Sequence, residues 1–389
     1  MVVYWVLFAF ISFFAVFVNE NTSTDKTFKF FRVPHISWHY LSIFVFLILF
    51  VFIGFRYNVG GDFGQYRIIY TQYANDTFIQ SLLPKSLSSV DPGWGAINWL
   101  IHRFDPFEGI YWNDVYRIGG YVYVNALAGI IFTYFLLKFI FQMPRPMFAL
   151  AIAFPYVIIV VGMGYVRQGV AFSIIAYAIL LLGQRKFLYF AFLILFASLF
   201  HKSAAIFLPF LFIVATKNKF LIFLASLLLF GIVYFALIAS HLESMVANYI
   251  DYELNSRGAL IRLIMLIPPA FIFLKFKDRF SFSSTENQIF LILSYASFLF
   301  LFLALTVFAS NTTAIDRLGL YFITLQIIIF SHFPSIFQPR NQIFVIILIL
   351  LYYALTMFVW LSFATNAGSW LPYRNVLFLD SSNYLWKFF

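Results

Sequence analysis

The chain contains no cysteine. That absence excludes a disulfide framework, a thiol nucleophile, haem attachment and Cys-ligated metal sites together. Charge is scarce as well: Asp, Glu, Lys and Arg make up 10% of 389 residues, where a soluble domain carries roughly 25%. A surface facing water on all sides cannot be built from so little. What fills the chain instead is hydrophobic, at 63% of residues, with a mean hydropathy of +0.91. Phe, Tyr and Trp alone supply 23%, which excludes intrinsic disorder and suits lipid-facing helices with interfacial aromatic belts. The net charge of +10 does not mark a nucleic-acid partner, because Lys and Arg are scattered in twos and threes between apolar runs. Membrane topology explains their placement.

A helix needs about 20 apolar residues to cross the hydrocarbon core. Eleven or twelve runs of roughly that kind lie at about 2–18, 37–55, 118–141, 147–163, 166–183, 187–200, 204–215, 219–240, 259–276, 286–309, 317–332 and 341–363. The sixth and seventh are short and meet at His201-Lys202-Ser203, as two tilted spans or a re-entrant pair. The first lacks the basic flank and small-residue cleavage site of a signal peptide and is read as retained. The expected fold is therefore an all-α polytopic membrane protein, one membrane domain over 1–389. Alternate sides of this ladder differ in charge. One takes Lys26, Lys29, Arg32, Lys138, Arg145, Arg185, Lys186, Lys217, Lys219, Lys275, Lys277, Arg279 and Arg340 against only Glu20, Asp25, Asp278 and Glu286, a net of +9. By the positive-inside rule that side is cytoplasmic. Both termini, the long loop 56–117 and the tail 364–389 then lie outside.

Within that loop Phe63, Tyr66, Tyr70 and Tyr73 recur at helical spacing, and Trp94, Ile97, Ile101 and Phe104 do so behind Asp91-Pro92-Gly93. Both stretches are too short to span, and the expectation places them as amphipathic helices, in the interface plane or as caps on the helix bundle. Polar groups that a plain bundle would not need all fall on the same external side. They are Asp62 after two glycines, Asp91, Arg167-Gln168 opening a span, His201-Lys202-Ser203, Asp316-Arg317 and Pro372-Tyr373-Arg374. Charge at bilayer depth costs about 2.5–3.5 kcal/mol per residue, so such groups line a cavity or pair with one another. Asp91, ahead of a proline, reads first as a helix N-cap. Asp62, Asp91 and Asp316 are single carboxylates with no Asp-x-Asp pair among them, and no metal or other cofactor is expected.

Taken in order, Arg56, Val59-Gly60-Gly61-Asp62 with Tyr66, Asp91-Pro92-Gly93-Trp94, Tyr165-Val166-Arg167-Gln168-Gly169, Ala197-Ser198-Leu199-Phe200-His201-Lys202-Ser203, Asp316-Arg317-Leu318 with Tyr321, and Trp370-Leu371-Pro372-Tyr373-Arg374 resemble the EpsG family of bacterial exopolysaccharide proteins. That family is similar in role to the Wzy O-antigen and capsule polymerases. The doubled glycine before Asp62 departs from the family pattern, which more often has a small polar residue there. The resemblance implies a GT-C-like glycosyltransferase at the outer face of the bacterial cytoplasmic membrane. It would join undecaprenyl-diphosphate-linked oligosaccharide repeat units, with a chain-length regulator as a possible partner beside the bilayer itself. On that footing Arg167, Gln168, Lys202, Arg317, Tyr373 and Arg374 are candidates to bind the diphosphate-linked substrate, and Asp62, His201 and Asp316 are candidates for catalysis. Growing charge on a leaving diphosphate calls for fixed guanidiniums, and an attacking sugar hydroxyl for a proton acceptor. In the alternative assignment for Asp316, it pins Arg167 or Arg317 or caps a helix. Two other functions fit an Arg-lined membrane chamber: a flippase for the same lipid-linked oligosaccharide, and an acyltransferase that modifies surface glycans.

Overall fold

The computed structural model describes residues 1–17, 38–83, 91–104, 118–218, seven positions between 220 and 231, 258–309 and 312–378. Among them the chain is helical, and its one extended pairing is an isolated bridge between Arg56 and Asn375. The helices are α1 (Val2–Phe17), α2 (Trp38–Gly54), α3 (Phe63–Thr71), α4 (Phe78–Ser81), α5 (Pro92–Phe104) and α6 (Ile118–Ile140). They continue with α7 (Pro146–Gly164), α8 (Val166–Gly183), α9 (Phe187–Ser198), α10 (Lys202–Ala215), α11 (Ala259–Arg279), α12 (Ser284–Leu305), α13 (Thr313–His332) and α14 (Pro339–Phe363). Seven of these segments are long and apolar enough to cross a membrane, and α1, α2, α9 and α10 are shorter apolar helices. All eleven coincide with runs expected from hydropathy. The run 219–240 lies outside the described residues.

Local chemistry sets where the helices begin and bend. Pro92, Pro146 and Pro339 open α5, α7 and α14, where a missing N–H costs nothing. Ser283 and Glu286 form a reciprocal capping box at the start of α12. Inside α7, Pro155 removes a donor, and the helix runs through a π segment over Phe154–Val161. A break at Tyr165 then separates α7 from α8.

Helix α7 is buried along its whole length and α8 nearly so. α1, α13 and α14 pack on α7, while α6 and α9 pack on α8, and α2 lies behind α6. α11, α12 and α14 turn most of their surface outward, as Phe302, Leu305, Leu351 and Leu355 show. In the bilayer those side chains meet lipid.

The two loop helices are present, and most of their aromatic residues pack on the bundle. Phe63, Tyr66, Tyr70, Tyr73, Trp94 and Ile97 are buried in the core cluster. His102 stacks on Tyr70 with ring centroids 3.8 Å apart, and its Nε2 meets the Tyr70 carbonyl at 2.7 Å. α3 and α5 thus turn these aromatic side chains to each other and to α6, while Phe104 at the end of α5 stays exposed. They cap the bundle.

Candidate functional site

The polar residues of the expected external side meet where several helices begin. Asp91, just ahead of α5, is the centre. Its Oδ2 accepts a hydrogen bond from Arg167 Nη1 at 3.1 Å, and its Oδ1 accepts from the Lys202 backbone N–H at 3.3 Å. The same Oδ2 stands 3.8 Å from His201 Nδ1. Arg167, in the first turn of α8, also donates from Nε to the Tyr66 hydroxyl at 3.1 Å, with its guanidinium 5.5 Å from that ring's centroid. Gln168, one residue on, donates to the Arg317 carbonyl at 2.6 Å and so ties α8 to α13. Ser203 and Tyr321 share a hydrogen bond of 2.9 Å that fastens the start of α10 to α13.

Asp62 occupies the cap position of α3 but makes no side-chain capping bond, so the carboxylate is not spent on the helix. Burial raises its carboxyl above the ordinary range, and Arg317, Arg167 and the Tyr66 hydroxyl offset part of that. Burial lowers the His201 imidazole below its ordinary value; Asp91 opposes the change, and Arg167 and Arg317 reinforce it. Arg317 is exposed, and its guanidinium makes no hydrogen bond or ion pair among the described residues. The Lys202 side chain is exposed too. A partly open Arg167 and an exposed Arg317 both act on Asp62 and His201, with the exposed Lys202 next in the chain, an arrangement that favours an anionic ligand.

Several expected site residues serve elsewhere. Asp316 is not a free carboxylate and pins neither Arg167 nor Arg317. Arg262 of α11 takes it in a two-pronged ion pair, with Nε–Oδ1 at 2.6 Å, because the fork of a guanidinium matches a carboxylate edge. Gln168 spends its amide on a backbone carbonyl and positions α13 rather than a phosphate. Tyr373 donates to the Phe52 carbonyl at 2.8 Å and packs edge-on against Tyr4, within the fold. The Arg374 carbonyl accepts the Tyr57 N–H at 3.0 Å, and no hydrogen bond or ion pair links its side chain to Asp91 or Arg167. Asp91 moves the other way. Read as a cap, it lies instead at the heart of the cluster, and its separation of 76 residues from Arg167 left no local signal of the pairing. Among the described residues no three His, Asp or Glu side chains converge closely enough to hold a metal.

These segments, from α2 to the tail, can be compared with known proteins. A family model described as the EpsG family matches residues 39–375. The chain belongs to the EpsG family. EpsG proteins are Wzy-like polysaccharide polymerases, so the chain is a multi-pass membrane protein of polysaccharide biosynthesis. Comparison with curated proteins and with solved structures gives no match.

The EpsG match runs to Asn375, within the tail. The tail folds back as a clasp on the loop that carries Asp62. Asn375 Nδ2 donates to the Val51 carbonyl at 2.8 Å, Val376 N–H to Phe55 at 2.8 Å, and Gly60 N–H to Ser369 at 2.9 Å. Trp370 donates its indole N–H to the Ile159 carbonyl in the π segment of α7 at 2.8 Å, and accepts the Tyr4 hydroxyl at its own carbonyl. Its ring lies so close to Gly164 that a Cβ there would sit 2.2 Å from it.

From within, Arg56 fixes the same loop. It is fully buried and donates to Ile53 O at 2.6 Å, Val59 O at 3.1 Å and Asn125 Oδ1 at 2.9 Å. The Ile53 carbonyl is one of the unpaired acceptors at the end of α2, where a cation is favoured. Gly60 completes the turn with φ +107°, and an added Cβ would stand 2.1 Å from the Met163 carbonyl. Gly60→Ala is accordingly expected to destabilise the protein by about 1–3 kcal/mol or more and to displace Asp62. Thermal unfolding of the purified variant checks this. An unchanged midpoint would show that the loop can move away from α7.

The opposite end of the EpsG bundle has a different character. Arg145 donates to Gln342 at 2.6 Å, and a small cavity of about 80 Å³ is lined by Gln142, Gln184, Glu286 and His332, among others. A larger cleft of about 630 Å³ between α8 and α9 is lined by Tyr177, Lys186, Tyr189 and Phe192, also away from the Asp91 cluster.

Proposed function

We propose that this EpsG protein is a glycosyltransferase that joins undecaprenyl-diphosphate-linked oligosaccharide repeat units at the outer face of the cytoplasmic membrane. The observation that carries the reading is Arg167 of α8, held by Asp91 and Tyr66 and partly open, with the exposed Arg317 of α13 and Asp62 within the same field. In this mechanism Arg167, Arg317 and Lys202 bind the diphosphate. The bond from the anomeric carbon to the phosphate oxygen breaks, its electron pair stays on the lipid diphosphate, and the two guanidiniums neutralise that charge. The acceptor sugar's hydroxyl oxygen forms the new bond to the anomeric carbon, and Asp62 accepts its proton. A carboxyl with a raised pKa suits the task, since proton transfer is most efficient when the base is poised nearer the working pH. Asp316 with Arg262, and Arg56 with Asn125, hold the walls of the site.

Incubating the purified protein with undecaprenyl-diphosphate-linked repeat units is expected to give a ladder of products. Transbilayer movement of the substrate with no new glycosidic bond would make the protein a flippase. Reporter fusions at residues 61, 167, 201 and 316 are expected to lie all on the outer side. Any split between the two faces would leave the mechanism without its site.

A further inference from the structure

Asp91 has more hydrogen-bond and ionic contacts in the cluster than a simple counter-ion requires. Its side chain is 3% exposed and bonded on both oxygens, to Arg167 and to the Lys202 N–H. His201 Nδ1, 3.8 Å from Oδ2, is buried and has no hydrogen-bond partner among the described residues. An unsatisfied buried nitrogen beside a carboxylate is a costly arrangement. It persists because Arg167 holds the carboxylate in competition. The Arg167 side chain, 22% exposed, is the member of this trio that a ligand can reach most readily.

We propose that Asp91 is an exchangeable counter-ion: an incoming diphosphate takes Arg167, Asp91 turns to His201, and ligand binding is thereby coupled to proton uptake on the imidazole. This deepens the assignment of the cluster as a diphosphate site and rests on it. A diphosphate offers a guanidinium more negative charge and more acceptor oxygens than one carboxylate does. Once Arg167 turns to it, Asp91 would be a buried, unpaired anion, an expensive state. The nearest group able to answer it is His201. While the site is empty, Arg167 and Arg317 disfavour the imidazolium; phosphate oxygens cancel that field, and a freed Asp91 adds an attraction of its own. Both changes favour the charged ring, so one proton enters from solvent. No covalent bond is made or broken.

The other groups facing Asp91 do not supply this proton change. Tyr73 and Tyr321 act on it electrostatically, and Tyr66 reaches it through Arg167, but phenols stay protonated near neutral pH. Asp62 is the one nearby carboxyl with a raised pKa, so the test must separate it from His201.

The experiment is calorimetric titration of the purified full chain with inorganic pyrophosphate near pH 7.5, in two buffers of different ionisation enthalpy. Wild type is expected to take up close to one proton more than His201→Gln, which also carries any uptake by pyrophosphate itself. Asp62→Asn should keep the difference. Asp91→Asn should bind pyrophosphate about tenfold tighter or more, since no anion then competes for Arg167, and adding His201→Gln to it should change proton uptake no further. Equal uptake by wild type and His201→Gln, or loss of uptake in Asp62→Asn instead, would overturn the exchange. So would a protein that builds a polymer ladder yet binds no pyrophosphate. His201-dependent uptake in a protein that builds no ladder would leave the exchange standing and remove the polymerase assignment.

Discussion

Arg167→Lys is expected to slow chain elongation by about 10²–10³-fold, the effect of losing one preorganised donor at a developing anion, while the protein still inserts and folds. Lysine keeps a charge for Asp91, so the buried carboxylate is not stranded. What it cannot do is present a planar fork that keeps Tyr66 on one nitrogen while the others pass from Asp91 to a phosphate. Arg167→Ala is the harsher change and the less informative one. It leaves Asp91, 3% exposed, without its cation, and stranding a buried charge costs about 3–5 kcal/mol. The double variant Arg167→Ala with Asp91→Asn resolves the ambiguity: it is expected to regain much of the lost thermal stability and none of the activity. Near-normal elongation by Arg167→Lys would reduce Arg167 to a headgroup-anchoring arginine. Recovery of activity in the double variant would assign it to the fold alone.

Asp62→Asn carries the other large expected effect, a fall in transfer rate of about 10²–10⁴-fold with both lipid-linked substrates still bound. The amide is nearly isosteric, and Asp62 makes no side-chain capping bond that the change could break. A base must be ionised to work. In wild type the rate should therefore fall as pH drops through the raised pKa of Asp62, at a pH above the ordinary carboxylate value of about 4, and in Asp62→Asn the residual rate should lose that limb. Asp62→Leu should be equally inactive. If Asp62→Asn elongated chains normally while Asp62→Leu failed, the residue would be structural and the proton would pass to His201. Measuring elongation and its pH profile for the pair decides between them.

The helical ladder was legible because the constraint behind it is local. A membrane helix satisfies its backbone within one segment, so length and apolarity mark it without reference to partners. Hence the runs at 147–163 and 166–183 reappear as α7 and α8, with the break at Tyr165. Aromatic periodicity marked α3 and α5 in the same way. It could not say what their aromatic faces meet, since a buried bundle surface and a headgroup layer both reward Phe and Tyr, and in the fold those faces went to protein.

The candidate site divides along the same line. Which residues belong to the polar end followed from the order of spans and the charge on alternate sides, and that much the sequence determined by itself. Which of them pair was decided only by tertiary structure. Asp91 finds Arg167 across 76 residues, Arg262 finds Asp316 across 54, Gln168 reaches the Arg317 carbonyl across 149, and Asn375 returns to Val51 across 324. Periodicity carries no trace of such contacts, because an ion pair is set by where two helix ends come to rest. Asp91, ahead of α5, reaches Arg167 of α8, and Asp316 of α13 goes to Arg262 of α11, so a residue that reads as a cap lies at the centre of the polar cluster and one that reads as catalytic is held in an ion pair.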